Sequence, residues 1–449
     1  MSVTTKRPPD AGLVRFMGPL PDPAHARTTL AGPADAGEAI GIRRDVARIL
    51  QRVADDGDAA LIALTRALDG VSAPMIEVPR STIDASPATL APDVRAALER
   101  AIGNLEHVHA AALPRPIVVH SEPGVVVTLR PDPLARVGVY APGGRAAYPS
   151  SVLMGVVPAR VAGVGEIVVC SPPGPDGVPS TAVLAACALA GAHRVFALGG
   201  AQAIAALACG TATVPAVDRI VGPGNAWVTE AKRQVSARVA IDAPAGPSEV
   251  LVIADPDVEP ARIARELLAQ AEHDPDALAA AILLDGSATA AAGVITALDA
   301  QIRNAPRRAI AAAALAARGA VMWTGDDAAA LAFAGALAPE HLLLAGPRSE
   351  ALAPRVRNAG AVFLGAGASV AFGDYVTGGN HVLPTGGLAR AFSGLSTLDY
   401  VRWTSLQSID AAAAASLAPA VTSLALTEGL PAHAAAVAPW LAAGAGVRS

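Results

Sequence analysis

The chain has 449 residues, of which 52% are apolar, and its formal net charge is −5. A chain of this length and composition can bury the cores of two or more domains, which excludes an intrinsically disordered protein. Lysine and arginine form no run interleaved with aromatic residues. This argues against nucleic-acid binding and favours a small-molecule ligand.

The N-terminal segment carries charges but no apolar stretch behind them, so we predict no signal peptide, no membrane anchor and a cytoplasmic location. The longest uncharged stretch, residues 195–217, is interrupted by glycines and a proline, which indicates strand, turn and helix and no membrane span. Cys170, Cys187 and Cys209 match no disulfide framework or zinc knuckle, and we expect them to be reduced and buried.

The pattern of apolar residues changes along the chain. Residues 38–70 and 85–112 show helical spacing, and residues 117–130 alternate on both sides of a Pro-Gly turn, which predicts a β-hairpin. From residue 136 short apolar strands alternate with helices, the pattern of a parallel, doubly wound sheet. A second alternating block runs from residue 248 to 367, and the alanine-rich chain beyond residue 390 is predicted to be a helical tail.

The strands of the first block end in the glycine-rich turns APGG, LGG and VGPGN. Ligands of doubly wound sheets bind beyond the carboxyl ends of the strands, so we expect a ligand at these turns. Neither block carries G-x-G-x-x-G after its first strand, and GAGAS at 365–369 is the nearest match. The residues alone therefore leave a dinucleotide site open.

Side chains capable of chemistry are concentrated in four histidine-containing segments. In the first, Gln270 and His273 share the last turn of a helix that begins at Pro260, and their spacing places them on one face. The other segments are rich in proline and glycine, which is typical of tightly turned loops. The segments are QAEHD with Gln270 and His273, APEHLLL with Glu340 and His341, GDYVTGGNHVLPTGG with Asp374, Asn380 and His381, and TEGLPAH with Glu428 and His433.

Two imidazoles, a carboxylate and an amide oxygen form a nitrogen and oxygen ligand set that suits zinc or manganese. The spacing of the segments does not show whether they meet in space, so the residues alone also allow polar helix ends and loops that face solvent.

The chain resembles the histidinol dehydrogenase family over about residues 36–440. The motifs that carry the resemblance occur in the family's order and spacing: VGVYAPGG, YPSSVLM, GGAQAIAALACGT, IVGPGNAWV, AGPSEVLVIAD, LLAQAEHDPDA, APEHLLL, GDYVTGGNHVLPTGG and EGLPAHAAAV. Several of these motifs are eight residues or longer, so the similarity is not accidental.

The resemblance implies roles for individual residues. The implied ligands of one Zn2+ per subunit are Gln270, His273, Asp374 and His433. The implied acid-base pair is Glu340 and His341. The residues implied to contact substrate are Ser248, His381 and Glu428, together with His341 and the four metal ligands. The residues implied to contact NAD are Tyr140, Gln202 and Asn225.

The implied reaction is the oxidation of L-histidinol through an aldehyde to L-histidine with two NAD+ and one water. In it His341 accepts the alcohol proton and Glu340 activates the water. No cysteine nucleophile is required.

The resemblance also implies an architecture of two incomplete Rossmann-like lobes with parallel sheets. We expect an N-terminal arm (1–35), a discontinuous first lobe (36–138 and 250–390), a second lobe (139–249) and a C-terminal helical tail (391–449). The tail is expected to be exchanged across a homodimer, so that His433 and Glu428 act in the neighbouring subunit's site.

Three positions depart from the family pattern: Gly379 replaces a threonine, Gly155 an asparagine and Trp227 a tyrosine. Gly379 adjoins Asn380 and His381, which leaves open a related dehydrogenase of another small alcohol, such as a sulfonated diol. A zinc hydrolase and a non-catalytic binding protein are the alternatives from other classes.

Overall fold

The structure, a computed structural model, describes residues 13–31, 36–71, 75–143, 147–244 and 246–445. The first twelve residues and residues 32–35 of the predicted N-terminal arm lie outside the described residues. The strands are β1 (Phe16–Pro19), β2 (Ile117–Glu122), β3 (Val125–Pro133), β4 (Arg136–Tyr140), β5 (Glu166–Ser171), β6 (Arg194–Ala197), β7 (Arg219–Val221), β8 (Ala240–Ile241), β9 (Glu249–Ala254), β10 (Leu278–Leu284), β11 (Gly319–Thr324), β12 (His341–Ala345), β13 (Ala361–Phe363) and β14 (Val401–Ile409).

The helices occupy most of the chain between the strands. They are α1 (Ala26–Ala31), α2 (Ala36–Asp56), α3 (Asp58–Asp69), α4 (Arg80–Ala85), α5 (Pro92–Ala111), α6 (Pro149–Val161), α7 (Thr181–Ala190), α8 (Gly200–Cys209), α9 (Ala226–Val235), α10 (Pro260–Ala271), α11 (Ala288–Ile302), α12 (Arg308–Arg318), α13 (Asp327–Leu337), α14 (Pro347–Glu350), α15 (Val370–Tyr375), α16 (Ala411–Thr427) and α17 (Pro431–Ala445). Short 3-10 turns occur at Pro23–His25, Ser86–Thr89, Ala353–Arg355, Leu388–Arg390 and Thr397–Tyr400.

The larger sheet has six parallel strands in the order β1-β11-β10-β9-β12-β13. Strands β9 and β10 are buried along their whole length, as expected for apolar runs covered on both faces. Side chains of α10, α11 and α12 belong to the apolar cluster on one face, and those of α1 and α13 to the cluster on the other. The predicted α/β class with parallel sheets is confirmed.

The second parallel sheet has five strands in the order β6-β5-β4-β7-β8. Val46 of α2 and Leu61 of α3 belong to its core, together with Phe196 and Ile204. The structure therefore differs from the predicted division, which placed residues 36–138 with 250–390. Helical periodicity identifies an apolar face, but it does not specify which sheet that face will cover.

The predicted hairpin is confirmed as β2 and β3, which pair antiparallel. The predicted helical tail also contains a strand, because β14 pairs antiparallel with β3, from Val401 opposite Pro133 to Ile409 opposite Val125. The β14 sequence VRWTSLQSI contains β-branched and aromatic residues, which favour a strand, but the alanine-rich composition of the tail concealed it. Beyond β14, the described residues form the two helices α16 and α17.

The chain divides into two compact units. The first contains both parallel sheets and extends to Tyr400, and the second contains β2, β3, β14, α16 and α17. Within the described residues, no helix is both long enough and apolar enough to span a lipid bilayer.

Candidate active site

The candidate site lies at the amino edge of the six-stranded sheet. Ser248 immediately precedes β9, and Glu340 and His341 lie at the start of the neighbouring strand β12. Helix α10 connects the parallel strands β9 and β10, so it runs back across the sheet and its last turn returns to the same edge. This topology brings Gln270 and His273 to the edge where Glu340 and His341 lie.

Glu340 is a buried carboxyl group, with a relative exposure of 5%. Its Oε2 accepts a hydrogen bond from the backbone N–H of Glu249 at 2.8 Å. Burial raises the pKa of Glu340 to about 7, although the neighbouring His341 acts in the opposite direction. The group can therefore gain or lose a proton near neutral pH, as an acid-base catalyst must.

His341 is held in one orientation by its ring nitrogen Nδ1. The backbone oxygen of Glu249 lies 3.0 Å from Nδ1, and because a carbonyl can only accept, Nδ1 carries the proton. The other nitrogen, Nε2, lies 3.4 Å from Asp374 Oδ1. Burial opposes the charged imidazolium, but the charges of Glu340 and Asp374 outweigh it and raise the pKa of His341 to about 9.

Asp374 lies near the end of the short helix α15. Burial disfavours its charge, but the hydrogen bond and the charge of His341 lower the pKa of Asp374 below its ordinary value. The start of α15 is fixed to α10, because Glu266 Oε2 accepts hydrogen bonds from Ser369 Oγ and Val370 N, each at 3.1 Å. Glu266 lies one helical turn before Gln270, so one contact fixes the elements that carry two predicted ligands.

His381 connects the two parallel-sheet lobes. Its Nδ1 donates to the backbone oxygen of Asp374 at 2.7 Å, and its Nε2 lies 3.4 Å from the hydroxyl of Ser151 on α6. Burial lowers the pKa of His381, so the neutral ring can accept the Ser151 proton at Nε2. The next residue back, Asn380, donates to the backbone oxygen of Met154 at 2.8 Å, which fixes the loop to the same helix.

A pocket of about 690 Å3 opens in front of these groups. Its wall includes His341, Asp374, Asn380 and His381, and it has an apolar side formed by residues such as Phe363. The ring of Phe363 lies 5.9 Å from the ring of His341, centroid to centroid. The pocket thus combines bases and a carboxylate with an apolar surface, which suits a small polar molecule.

Two of the residues expected to hold a metal, His273 and Asp374, have the required chemical states. Burial lowers the pKa of His273, so its imidazole is neutral, and the charge of Asp374 acts on the same ring. Gln270 is buried, and within the described residues its Nε2 has no hydrogen-bond partner. Amide, imidazole and carboxylate donors fit zinc, although within the described residues no group of three or more His, Cys, Asp or Glu side chains is arranged so that it could hold a metal ion.

The other two predicted residues of the site belong to the second unit. Glu428 is the C-cap of α16, and His433 lies in the first turn of α17. The structure therefore brings Ser248, Gln270, His273, Glu340, His341, Asp374 and His381 together within the first unit. His433 and Glu428 are not part of the first unit.

The predicted NAD contacts all lie at the carboxyl edge of the five-stranded sheet, where the glycine-rich turns occur. The hydroxyl of Tyr140, at the end of β4, accepts a hydrogen bond from Gly200 N at 3.1 Å. Asn225 caps α9 by accepting from Trp227 N and Val228 N. Gln202 is buried, and within the described residues its Oε1 has no partner, so it remains able to accept a hydrogen bond from a ligand.

Local space explains one of the three departures from the family pattern, the glycine at 155. A Cβ at Gly379 would lie 3.6 Å from Thr377 Oγ1, so a side chain fits there and its absence widens the pocket wall. A Cβ at Gly155 would lie 2.4 Å from Val139, because α6 packs closely on β4. Trp227 is partly exposed in the first turn of α9.

Sequence reasoning missed four residues that hold the site together: Arg27, Ser151, Glu249 and Glu266. Two signals were present. Ser151 and Glu249 occur within the motifs YPSSVLM and AGPSEVLVIAD, and Glu266 lies on the buried face of α10 at i−4 from Gln270. Arg27 carried no signal, because it is far along the chain from every other residue of the site.

Comparisons with known proteins agree on one family. The family model for histidinol dehydrogenase matches residues 35–439. A histidinol dehydrogenase of Methanothermobacter thermautotrophicus is 45% identical over 389 residues, which cover 87% of this chain and 91% of that protein. One from Xylella fastidiosa is 45% identical over 419 residues, which cover 93% and 96%.

A solved structure is similar over nearly the whole chain. The histidinol dehydrogenase of Elizabethkingia anophelis superposes with a TM-score of 0.90 at 32% identity and covers 96% of this chain and 99% of its own. The sequence motifs, the fold and the buried Glu340–His341 pair are thus all consistent with this family. The chain belongs to the histidinol dehydrogenase family, and it is an oxidoreductase.

Proposed function

We propose that this enzyme oxidises L-histidinol to L-histidine through L-histidinaldehyde, a four-electron oxidation that ends histidine biosynthesis and uses two NAD+ and one water. The family membership supports the substrate. The observation that carries the chemistry is the buried Glu340–His341 pair beside the pocket, because both groups are held by the backbone of Glu249 and burial raises the pKa of Glu340 to about 7.

We propose Gln270, His273, Asp374 and His433 as the ligands of one Zn2+ per subunit, with manganese as the other candidate metal. When bound, this metal supplies a positive centre that chelates the substrate's amine and imidazole and so orients its CH2OH carbon. A cation on Asp374 would also weaken the attraction of that carboxylate for the proton on His341. Such a change favours the neutral ring that a base requires.

The carboxyl edge of the five-stranded sheet is the proposed NAD site, with contacts from Tyr140, Gln202 and Asn225. When bound, NAD+ supplies the hydride acceptor for both oxidation steps. The link from His381 to Ser151 supports this arrangement, because α6 begins at the carboxyl edge of β4. Ser151 therefore joins the proposed cofactor edge to the pocket.

In the first step His341 takes the hydroxyl proton of the alcohol at Nε2 while a hydride leaves the carbon, which gives the aldehyde. Oε2 of Glu340 is engaged by Glu249, so its Oε1 is the oxygen that we assign to the water. Glu340 takes a proton from this water as the water oxygen bonds to the aldehyde carbon, and the former carbonyl oxygen takes the proton that His341 accepted in the first step, which returns His341 to its neutral form. The resulting diol loses a second hydride and a second proton, and the carboxylic acid forms.

Ser248, His381 and Glu428 are the proposed further contacts to substrate. The last of these, like His433, belongs to the second unit, and we propose that the units are exchanged in a homodimer with shared sites. Large apolar side chains that are exposed on the second unit support an interface there. They include Ile117, Val118, Trp403, Leu406, Leu424 and Leu430.

A cytoplasmic location is part of the proposal. All three cysteines are free: Cys170 and Cys187 are buried, as predicted, and Cys209 is only half-buried. Burial raises the pKa of the Cys170 and Cys187 thiols, which makes them unreactive. Free thiols of this kind suit a reducing compartment.

The test is a panel of alcohols with NADH followed at 340 nm and counted per alcohol consumed. We expect two NADH per histidinol. A stoichiometric response to a sulfonated diol but not to histidinol would assign the enzyme to the related dehydrogenases. Ester or amide hydrolysis without NADH would assign a zinc hydrolase.

Variants of the reacting pair separate catalysis from binding. Glu340→Gln and His341→Asn should each lower kcat by about 10²–10⁴-fold while histidinol still binds in calorimetry. A matched control is the same dipeptide on α5, where Glu106 and His107 face solvent. Glu106→Gln and His107→Asn should leave kcat unchanged. Full turnover in the Glu340 and His341 variants would contradict acid-base roles and favour a binding protein.

A further inference from the structure

An ion pair between Arg27 and Glu249 lies next to the reacting groups. Arg27 belongs to α1, and its side chain reaches Glu249 at the start of β9, 222 residues further along the chain. The guanidinium donates from Nη1 to Oε1 at 2.5 Å and from Nη2 to Oε2 at 3.1 Å. The side chain of Glu249 is 6% exposed and that of Arg27 is 23% exposed.

Arg27 also binds the segment that leads into the acid-base pair. Its Nη2 donates to the backbone oxygens of Leu337 and Ala338, the latter at 3.0 Å. Ala338 has a φ of 46°, in the left-handed region that L-residues other than glycine seldom adopt. An Arg27 side chain bound to both carbonyls stabilises this turn, two residues before Glu340.

Glu249 contacts both reacting residues through its backbone. Its N–H donates to Glu340 Oε2, and its carbonyl accepts from His341 Nδ1. Its side chain also accepts from Gly386 N at 3.1 Å, on the loop that follows His381. One residue thus joins strand β9, the 337–341 segment and the 381–387 loop.

We propose that the Arg27–Glu249 pair positions Glu340 and His341 for the reaction, and that both residues are positioning residues of this enzyme. The identity of the reaction rests on the function proposed above. Arginine is required because its planar fork can serve a carboxylate and two carbonyls at once, whereas the ammonium group of lysine cannot. No contact with substrate is involved.

Stability alone does not account for a charged pair at this place. Burying two charges is costly, and hydrophobic side chains of similar volume can often replace such a pair without loss of stability. Removing one partner, however, leaves an unpaired buried charge. Stability and positioning can therefore be separated by comparing single variants with the double variant.

The experiment uses the full-length enzyme and the variants Arg27→Met, Arg27→Lys and Arg27→Met/Glu249→Met. Arg27→Met should lower both the thermal midpoint and kcat. The double variant should regain most of the thermal midpoint that Arg27→Met loses. Its kcat should nevertheless remain about 10²-fold below that of the wild type, because small displacements of reacting groups lower the rate by about that factor. Its KM should remain within about threefold, and Arg27→Lys should give an intermediate kcat at a nearly normal thermal midpoint.

The control is a second bidentate pair between distant elements, Arg194 with Glu77, at 2.7 Å for each bond. Arg194→Met/Glu77→Met should leave kcat and KM unchanged. A double variant of Arg27 and Glu249 with wild-type kcat would overturn the positioning role. If that double variant does not fold, a wild-type kcat in Arg27→Lys would overturn it instead.

A failure of the proposed function can be distinguished from a failure of the positioning role, because the wild-type enzyme would then produce no NADH from histidinol. In that case amide hydrogen exchange tests whether the Arg27–Glu249 pair holds these segments in place. Arg27→Lys should accelerate exchange in residues 337–345 and 246–252 by about tenfold or more and leave the β4–β5 region unchanged. Unchanged exchange in both segments would overturn the proposal.

Discussion

The buried carboxyl of Glu340 is costly to ionise, and that cost is tied to its role. Its hydrogen bond from Glu249 and the adjacent imidazole favour the charged form, but burial outweighs them and the pKa rises to about 7. A carboxyl that ionises near neutral pH is a useful base for water, yet every ionised copy lowers the stability of the fold. The buried Glu340 carboxyl therefore lowers the stability of the fold but provides a reactive base.

This effect predicts a pH-dependent stability. The folded pKa of Glu340 is raised above the ordinary value of 4.5, so the stability present below pH 4.5 is lost as the pH rises to about 7. His341 is raised to about 9 and acts in the same direction. In urea unfolding of chelator-treated enzyme, Glu340→Gln should gain on the order of 3 kcal/mol relative to wild type between pH 4.5 and pH 8.

Glu106→Gln is the control for this measurement, because that residue is only half-buried on α5, where it pairs with the half-exposed Arg160. Its unfolding free energy should follow the wild-type curve at every pH. Parallel curves for Glu340→Gln and wild type would show that the Glu340 carboxyl is not perturbed by burial.

Sequence reasoning could find the reacting residues but not the reason that they react. The dipeptide Glu-His occurs at 106–107, 272–273 and 340–341, and only the last is fully buried, at 5% and 3% exposure. Spacing within a helix or loop does not distinguish these pairs, since burial depends on elements far away in the chain. For the same reason the Arg27–Glu249 pair could not be predicted from the sequence.

At the level of elements, the site depends on how α10 and α15 are joined. The spacing predicts Gln270 and His273 in the last turn of one helix that stops at Asp-Pro, but α10 ends at Ala271. Gln270 therefore lies in the last turn, and His273 lies in the turn that follows the helix. The contact between Glu266 and the first turn of α15 could not be anticipated. Two helices that are distant in sequence meet only after the sheet has formed.

We predict that Glu266→Ala weakens metal retention. Loss of the acceptor for Ser369 Oγ and Val370 N frees the start of α15, so Asp374 no longer has a fixed position. Outer contacts of this kind are worth about 10–100-fold in metal affinity. Zinc content after dialysis against a graded chelator measures the effect.

The control for Glu266→Ala is Asp326→Ala, which removes the cap of α13 from Ala328 N. That variant should lose a little stability but keep its zinc. Equal zinc retention in Glu266→Ala and wild type would contradict the role assigned to the contact with α15.

At the scale of the whole molecule, the two parallel sheets contribute opposite edges to the proposed sites for substrate and cofactor. The amino edge of the six-stranded sheet carries Glu340 and His341, and the carboxyl edge of the five-stranded sheet, with Tyr140, is the proposed NAD site. The sequence predicted both sheets from alternating strands and helices. It did not predict which sheet α2 and α3 would cover, or that the tail contains β14, because pairing between distant segments leaves no local periodicity.

Removal of residues 401–449 tests the role proposed for the second unit. The truncated chain lacks β14 and His433, and it should lose both stoichiometric zinc and the dimer. Metal analysis and light scattering after size-exclusion chromatography give the two readouts. The single variant His433→Ala should lose zinc but remain a dimer, which separates the ligand from the interface. Stoichiometric zinc in the truncated protein would refute the assignment of His433.

The pairing of β3 with β14 also sets an order of events on the ribosome. Strand β3 is complete at Pro133, but its partner ends at Ile409, and two strands alone are marginally stable in water. At about 10 residues per second, β3 waits roughly half a minute for β14 to be translated. During that interval the nascent chain exposes an unpaired β-edge, so chaperone demand should be greatest before the last fifty or so codons are read.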